Sequence, residues 1–255
     1  MGFFSNLFSS KNKEIFPEVH NFADVAVDMH SHFLFGIDDG ATDINNSLEL
    51  IRGMIDLGYK KLYTTPHIMA DTYRNTPEII NEKLEKVREK LKQNNLNIEL
   101  FAGAEYYCDH EFLKKIGKEE LLSIGTNKYL LFEVSYLNAP EIFDDVIFAL
   151  QSNGYRPILA HPERYPFWFS NFDKFKEIKN KGVLLQMNIN SLTGHYGMPT
   201  QKIAHRMIDE EMISFLGSDC HHVGHLNLTR QTLKDPYLSK LINSNRLMNT
   251  MLLEN

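Results

Sequence analysis

The feature that most constrains the fold is a sevenfold alternation of short apolar runs with longer amphipathic segments. Each run is rich in β-branched and aromatic residues, and most of the loops that follow lead into helical periodicity. The runs are residues 24–30, 60–67, 98–105, 129–135, 156–163, 182–189 and 213–220. The helical segments are residues 45–58, 78–93, 141–154, 172–182, 200–212 and 238–253. Strand followed by helix, repeated along a chain, predicts a parallel sheet covered by helices.

Polar side chains close the apolar runs. Nearly every run ends in a residue able to bind a metal ion or catalyse a reaction: His30, His67, Glu105, Glu133, His161, Asn188 or Asn190, and Asp219. In a closed β/α barrel all strand carboxyl ends meet around one mouth, whereas an open sheet uses only strands near its switch point. The sequence therefore predicts an α/β fold, a distorted TIM-like (β/α)7 barrel. Because seven strands are one fewer than the usual eight, we expect incomplete closure.

The chain is long enough for one large domain, and its 255 residues contain no obvious linker after residue 25. We predict an N-terminal extension over residues 1–25 and a single catalytic barrel domain over residues 26–255. Apolar side chains of the extension could share one helical face, which either packs on the domain or docks weakly on a membrane. These side chains are Phe3, Phe4, Leu7 and Phe8.

Composition argues against several classes of function. The net charge of −6 disfavours nucleic-acid binding through a broad basic surface. The only cysteines, Cys108 and Cys220, imply no disulfide framework and predict a cytoplasmic protein. No run of 18 apolar residues occurs, so we predict no stable membrane span.

Nine imidazole and carboxylate side chains are candidate metal ligands. They are His30, His32, Asp39, His67, Glu105, Glu133, His161, Asp219 and His221. Each residue alone is weak evidence for a metal site, because a single histidine at a strand end is usually structural and the DDG sequence is also typical of a plain turn. Together they would crowd four carboxylates into one cavity, where repulsion and desolvation are costly unless cations are present. The set predicts two or three divalent ions, with zinc, manganese, iron and cobalt all compatible.

Seven stretches in this order carry a family resemblance: DMHSH, DDG, TTPH, GAEYY, LFEVS, AHPERY and SDCHH. They resemble the PHP (polymerase and histidinol phosphatase) metallo-phosphoesterases, and most of all the bacterial protein-tyrosine phosphatases of capsule and exopolysaccharide operons. The likeness spans about residues 26–225. It implies a distorted β/α barrel with three metal sites, often manganese. His30 and His32 would hold one ion, and Glu105 would bridge two.

The resemblance also implies an activity. Metal-activated hydroxide would attack phosphotyrosine, and Arg164 of HPERY would bind the substrate phosphate. Related enzymes carry a second arginine soon after the last metal ligands, where this chain has His222 and His225, with Arg230 further on. We expect His225 or Arg230 to substitute, and His222 or His225 to donate a proton to the leaving group. The expected substrate is a phosphotyrosine protein, such as the tail of a bacterial tyrosine autokinase.

Alternatives stay open at this point. Within the fold, the chain could be a nuclease or a small-molecule phosphomonoesterase such as a histidinol phosphatase. In another class, it could be a metal-stabilised regulatory protein without catalysis. A cysteine-based phosphatase mechanism is disfavoured, because neither cysteine is followed by arginine six positions on. Aromatic residues near the mouth could form a slot for a phenyl ring or support the core: Phe33, Phe35, Tyr106, Tyr107, Tyr136, Tyr165, Phe167 and Trp168. Oligomeric state is not predicted.

Overall fold

A computed structural model describes residues 16–254 of the chain, in which nine short strands alternate with eight α-helices. The strands are β1 (Val27–Asp28), β2 (Lys61–Thr64), β3 (His67–Ile68), β4 (Glu99–Ala102), β5 (Glu105–Tyr107), β6 (Tyr129–Glu133), β7 (Arg156–Ala160), β8 (Leu184–Asn188) and β9 (Phe215–Gly217). The helices are α1 (Ile44–Asp56), α2 (Pro77–Gln93), α3 (His110–Lys115), α4 (Phe143–Ser152), α5 (Asp173–Asn180), α6 (Met198–Asp209), α7 (Val223–Thr232) and α8 (Pro236–Ile242). Short 3₁₀ helices cover Pro162–Arg164, Pro166–Trp168, Ile189–Thr193 and Asn249–Leu252.

All strand pairs are parallel. One sheet has the order β1–β2–β4, and the other has the order β3–β5–β6–β7–β8–β9. Each of the seven predicted runs contains strand, but two runs are broken into two segments. Pro66, which has no backbone N–H, separates β2 from β3, and Gly103 and Ala104 separate β4 from β5. The broken runs remain bonded to each other, since Gly103 N–H donates to Thr64 O at 2.9 Å.

The segments that follow the first and last strands of the barrel meet through a short contact. Ser31, beyond β1, forms a single parallel bridge with Cys220, beyond β9. His32 N–H donates to Cys220 O at 3.0 Å, and Asp219 N–H donates to His30 O at 2.8 Å. In the part of the chain that the structure describes, no continuous ladder joins the two sheets. The distorted β/α barrel is therefore confirmed, with the incomplete closure expected of seven strands.

Side-chain alternation on the strands separates the interior of the barrel from the layer beneath the helices. On β6, Tyr129 and Leu131 belong to a small buried cluster formed by residues of both sheets, and Leu130 and Phe132 belong to the larger core under the helices. Because residues two apart share a face, the next inward residue is Glu133, at the carboxyl end of the strand. The alternation that builds the core therefore directs this carboxylate towards the mouth.

Local signals explain most helix positions. Asp43 caps α1 by accepting hydrogen bonds from the N–H groups of Asn45 and Asn46, and Pro77 begins α2 after the cap Thr76. The continuous last helix expected over residues 238–253 is wrong. The helix α8 ends at Ile242, and Asn245 has a left-handed φ of 56° before the final 3₁₀ helix. Helices α3 and α7 were not predicted.

The first described residues pack against the barrel. Phe22 is fully buried and stacks on Tyr59, with ring centroids 5.1 Å apart, and Val25 is also buried. The expectations for Phe3, Phe4, Leu7 and Phe8 lie outside the described residues. The division into residues 1–25 and 26–255 stays a prediction. Among the described residues, no helix is both long enough and apolar enough to cross a membrane.

Candidate metal centre and substrate cavity

A cavity of about 630 Å³ opens at the carboxyl ends of the strands. It is lined by ten of the twelve predicted site residues: Asp39, His67, Glu105, Glu133, His161, Arg164, Asp219, His221, His222 and His225. The other two, His30 and His32, are completely buried beside it. Their Nε2 atoms lie 3.4 Å apart, so the two imidazoles do project to the same side, as the HSH spacing predicts.

Glu105 lies between three histidines at the start of β5. Its Oε2 atom is 3.2 Å from His30 Nε2 and 3.1 Å from His67 Nδ1. Its Oε1 atom is 3.0 Å from His161 Nε2. The carboxylate is fully buried, and both of its oxygens face imidazole nitrogens. A carboxylate in this position can serve two cations at once.

Asp219 divides its two oxygens between different neighbours. Its Oδ1 atom is 3.4 Å from a ring nitrogen of each of His30, His32 and His221. Its Oδ2 atom accepts hydrogen bonds from Arg164 Nη1 at 2.9 Å and from Asn188 Nδ2 at 2.6 Å. One oxygen therefore faces the histidines, while the other holds polar groups of the cavity wall.

A second part of the cluster lies nearer the solvent. Asp39 Oδ1 is 3.5 Å from His67 Nε2 and 3.4 Å from His221 Nε2. On the inner side of the same imidazole, Glu133 Oε1 is 3.1 Å from His67 Nδ1. The Asp39 side chain is 54% exposed, unlike the buried carboxylates below it, and so it forms the outer edge of the cluster.

The nine candidate ligands form four overlapping groups. Within each group, the ligand atoms lie within 4.8 Å of one another. The groups are His32, Asp39, His67 and His221; His30, His161 and Asp219; His30, His32 and Glu105; and His67, Glu105 and Glu133. Every predicted ligand belongs to at least one group. This arrangement of imidazole nitrogens and carboxylate oxygens is able to hold divalent metal ions.

The buried carboxylates of the cluster are stabilised by positive charge on neighbouring groups. Burial lowers the pKa of His67, but Glu105 and Glu133 raise it more, to about 10. Burial is likewise outweighed at His30, where Glu105 and Asp219 raise the pKa to about 9. The pKa of Glu105 falls well below its usual value, because nearby imidazoles outweigh its burial. Protons on the histidines thus balance the buried carboxylates, and divalent ions could replace them.

Two further observations fit a metal centre. The buried Nδ1 atom of His161 makes no hydrogen bond to the described residues, although such atoms are normally satisfied. His161 and Asp219 both have left-handed backbones, with φ of 33° and 48°, which are uncommon for residues other than glycine. An unsatisfied nitrogen and backbone strain at candidate ligands are typical of sites that bind a ligand.

Residues behind the ligands hold them in place, and sequence reasoning did not assign them this role. Asp38 Oδ2 lies 2.7 Å from His32 Nδ1, and Gln186 Oε1 lies 2.8 Å from His30 Nδ1. These contacts orient the two rings so that each Nε2 faces the cluster. Two sequence signals were available: the paired aspartates of DDG, and polar Gln186 and Asn188 within an otherwise apolar strand.

The DDG loop also needs its glycine. A Cβ atom on Gly40 would lie 2.2 Å from the carbonyl oxygen of His32 and 2.4 Å from its Cβ atom. The N–H of Gly40 donates to Asp38 Oδ1 at 2.9 Å. The glycine therefore lets the loop pass directly over His32 and bring Asp38 to its ring.

The predicted catalytic residues occupy different positions. Arg164, His222 and His225 all line the cavity. The side chain of Arg164 is 20% exposed. Burial and neighbouring histidines lower the pKa of His225 to about 4, which favours a neutral ring. Arg230 is exposed on α7 and does not line the cavity. The roles of His222 and His225 in proton donation stay predictions.

Most of the suggested aromatic slot is core. Of the eight aromatic residues considered, only Tyr107 and Tyr136 line the cavity. Phe33, Tyr106, Tyr165 and Trp168 are buried, and Phe35 and Phe167 pack against the core. Two tyrosines that sequence reasoning did not select, Tyr73 and Tyr196, complete the aromatic lining. Both cysteines are buried thiols, and burial raises the pKa of Cys108 to about 12.

Comparison with known proteins agrees with this geometry. The family described as capsular polysaccharide synthesis, CpsB/CapC, matches residues 26–249. The chain belongs to the CpsB/CapC family. CapC of Staphylococcus aureus is 32% identical to this CpsB/CapC protein over 197 residues, which is 77% of each chain. The tyrosine-protein phosphatase YwqE of Bacillus subtilis is 29% identical over 205 residues, which is 80% of this chain and 81% of YwqE.

A solved structure supports the same relationship. It comes from crystal structures of YwqE from Bacillus subtilis and CpsB from Streptococcus pneumoniae, described as metal-dependent tyrosine phosphatases. It aligns with this CpsB/CapC protein at a TM-score of 0.78 and 29% identity, covering 90% of this chain and 92% of the other. The resemblance to capsule-associated tyrosine phosphatases is confirmed.

Proposed function

We propose that this protein is a metal-dependent protein-tyrosine phosphatase of capsule or exopolysaccharide synthesis. The observation that carries the proposal is the position of Arg164 beside nine clustered imidazole and carboxylate groups, seven of which line one open cavity. The identity to YwqE, a tyrosine-protein phosphatase, supports the reaction. The CpsB/CapC family relationship supports the biological setting.

The nine candidate ligands would hold two or three divalent ions, and manganese is our first choice, with iron, zinc or cobalt as alternatives. Membership of Glu105 in two of the ligand groups supports a bridging role for its carboxylate. Bound ions would supply an activated water nucleophile and stabilise negative charge on the phosphate. Asp38 and Gln186 would keep His32 and His30 in the orientation that binding requires.

The cavity wall would handle the rest of the substrate. Among residues 16–254, Arg164 is the only arginine or lysine that lines the cavity. It would bind phosphate oxygens through N–H groups that Asp219 does not occupy. Tyr73 and Tyr107 would offer ring faces to a phenyl group. Phenolate leaves readily from phosphorus, so weak proton donation by His222 or His225 would suffice.

We further propose that the substrate is the phosphotyrosine tail of a bacterial tyrosine autokinase, acted on in the cytoplasm. The open cavity and the exposed Leu137 on its rim suit an extended peptide better than a small, fully enclosed metabolite.

The test is phosphate release from a phosphotyrosine peptide by the purified protein, with added manganese and in parallel with a chelator. We expect release that the chelator abolishes. Faster turnover of histidinol phosphate would favour the small-molecule phosphatase. Bound metal without hydrolysis of any ester would favour a non-catalytic protein. Arg164→Ala should lower turnover with metal content unchanged, and loss of metal in this variant would make Arg164 a structural residue.

A further inference from the structure

Arg164 has unused hydrogen-bonding capacity. Its Nη1 atom donates to Asp219 Oδ2 at 2.9 Å, and its guanidinium makes no other hydrogen bond to residues 16–254. Because a guanidinium carries five N–H donors, most of them remain available in the cavity. A long arginine side chain held by one bond has considerable rotational freedom, which would weaken recognition of a planar pair of phosphate oxygens.

Two aromatic rings limit this freedom. The guanidinium carbon of Arg164 lies 4.0 Å from the ring centre of Tyr196 and 4.9 Å from the ring centre of Tyr136. Both distances are within the range of cation–π contacts, which are stronger where water is excluded. A planar guanidinium that contacts two ring faces cannot swing freely away from the phosphate position.

The two rings come from separate parts of the chain, and each is fixed locally. Tyr136 follows β6, and its ring stacks near His161, with centroids 5.9 Å apart. Tyr196 lies in a tight turn between Gly194 and Gly197, whose φ values are 77° and 97°. The turn is closed by a hydrogen bond of 2.9 Å from Gly197 N–H to Gly194 O. Only glycine adopts these conformations without strain, so the turn has a defined shape.

The hydroxyl group of Tyr196 is not the part that faces the substrate. It is buried from solvent, beside the side chain of Asn188. Burial raises the pKa of this phenol above its usual value, so the group stays protonated and uncharged. The ring face, which touches Arg164, is therefore the functional part of the side chain.

We propose that Tyr196 and Tyr136 are positioning residues that hold the Arg164 guanidinium between their rings for phosphate binding. The inference rests on the proposed phosphatase function for its reaction, but phosphate binding can be measured without turnover. Neither tyrosine needs to touch the reacting atoms. The two rings restrict the guanidinium of Arg164 before phosphate binds, so that less orientational freedom is lost on binding.

The experiment uses the full-length, manganese-loaded protein with inorganic phosphate and a phosphotyrosine peptide as probes. Tyr196→Ala should raise the Kd for phosphate and the KM for the peptide by about tenfold, within the range that cation–π contacts support. The kcat should change less, and metal content should not change. Tyr196→Phe keeps the ring and should retain both constants. Tyr136→Ala should act in the same direction and provides an independent variant if Tyr196→Ala folds poorly.

A double-mutant cycle separates positioning from general structural damage. In the Arg164→Ala background, Tyr196→Ala should have no further effect on phosphate affinity, because the residue that it positions is gone. Tyr237→Ala is the matched control, since that tyrosine stacks on His205 outside the cavity and should leave phosphate affinity unchanged.

Three results would overturn the proposal: an unchanged phosphate Kd in Tyr196→Ala, equal losses in the Phe and Ala variants, or additive losses with Arg164→Ala. Failure of the wild-type protein to hydrolyse phosphotyrosine would overturn the proposed function instead, and the phosphate titration would still test the positioning role.

Discussion

At the scale of single residues, Glu105 has the most demanding position, because it is fully buried and within 3.2 Å of three imidazoles. Its carboxylate is stable there only because positive charge surrounds it. The same residue would connect the inner and outer parts of the metal cluster. A change that removes its charge but keeps its shape therefore tests the whole centre.

We expect Glu105→Gln to lose both bound manganese and turnover, with activity falling by about 100-fold or more, since ligands of one centre act together. The measurements are metal content after desalting and phosphate release from a phosphotyrosine peptide. Glu89→Gln, on the exposed face of α2, is the control and should retain both. Full activity in Glu105→Gln would rule out the proposed centre.

Replacing Asp38 should have a smaller effect than replacing Glu105, because Asp38 contacts a candidate ligand and is not itself one of the nine. Its Oδ2 atom lies 2.7 Å from His32 Nδ1 and accepts from the N–H of His67 at 3.3 Å. Replacing a carboxylate behind a metal-binding histidine usually lowers metal affinity about 10- to 100-fold. We expect Asp38→Asn to lower manganese affinity by about this factor in a calorimetric titration. Unchanged affinity would show that the ring of His32 is held by its surroundings alone.

At the scale of elements, the loops that follow the strands shape the site more than the strands do. The strand β1 is only two residues long, and both His30 and His32 lie beyond it. They are held by the bridge between Ser31 and Cys220 and by the DDG loop that crosses over them. The close approach at Gly40 makes this loop sensitive to added volume.

Gly40→Ala should therefore push the DDG loop away from His32. The added methyl group meets the carbonyl oxygen and the Cβ atom of His32, which cannot rotate aside as the end of a flexible side chain would. We expect a lower Tm by several degrees, as for other overpacked sites of about 1–3 kcal/mol, together with weaker manganese binding. Gly154→Ala is the comparison variant: its Cβ would meet no atom within 4 Å, but its φ of 79° is left-handed, so it should lower the Tm through backbone strain without weakening manganese binding. Equal metal affinity in the two variants would contradict the proposed packing role.

At the scale of the whole molecule, metal and protons compete for one buried cluster. The pKa values of His30 and His221 are about 9 and that of His67 is about 10, because the carboxylates outweigh the effect of burial. These folded-state values lie above the ordinary histidine value of about 6.5. In the metal-free protein the histidines therefore contribute stability that is complete below about pH 6.5 and is lost as pH rises towards 9–10.

Metal binding should show the opposite dependence on pH, since a histidine must lose its proton to bind an ion. We expect manganese affinity to rise from pH 6 to pH 9 and binding at pH 7 to release protons. Calorimetry in two buffers of different ionisation enthalpy measures the number of protons released. Binding without proton release would mean that the histidines are already neutral, against the raised pKa values.

The order of the strands along the chain, and the polar residues that follow them, were predictable from sequence. The seven apolar runs, the polar residue at the end of each, and the barrel with incomplete closure follow from periodicity and from the rule that parallel strands end on one side. The nine candidate ligands could be chosen because carboxylates and imidazoles at those ends had no other shared explanation. The structure brings all nine together.

Tertiary packing alone decided which groups meet. Arg164 lies between Tyr136 and Tyr196, and Asp219 contacts both His30 and Asn188, although these residues are far apart in sequence. Local patterns determine which face of a strand a side chain occupies, but not the distances between loops on different strands. The same limit explains why the suggested aromatic slot proved to be mostly core. Periodicity shows that a side chain points inward, whereas only the packed fold shows whether that interior is core or cavity.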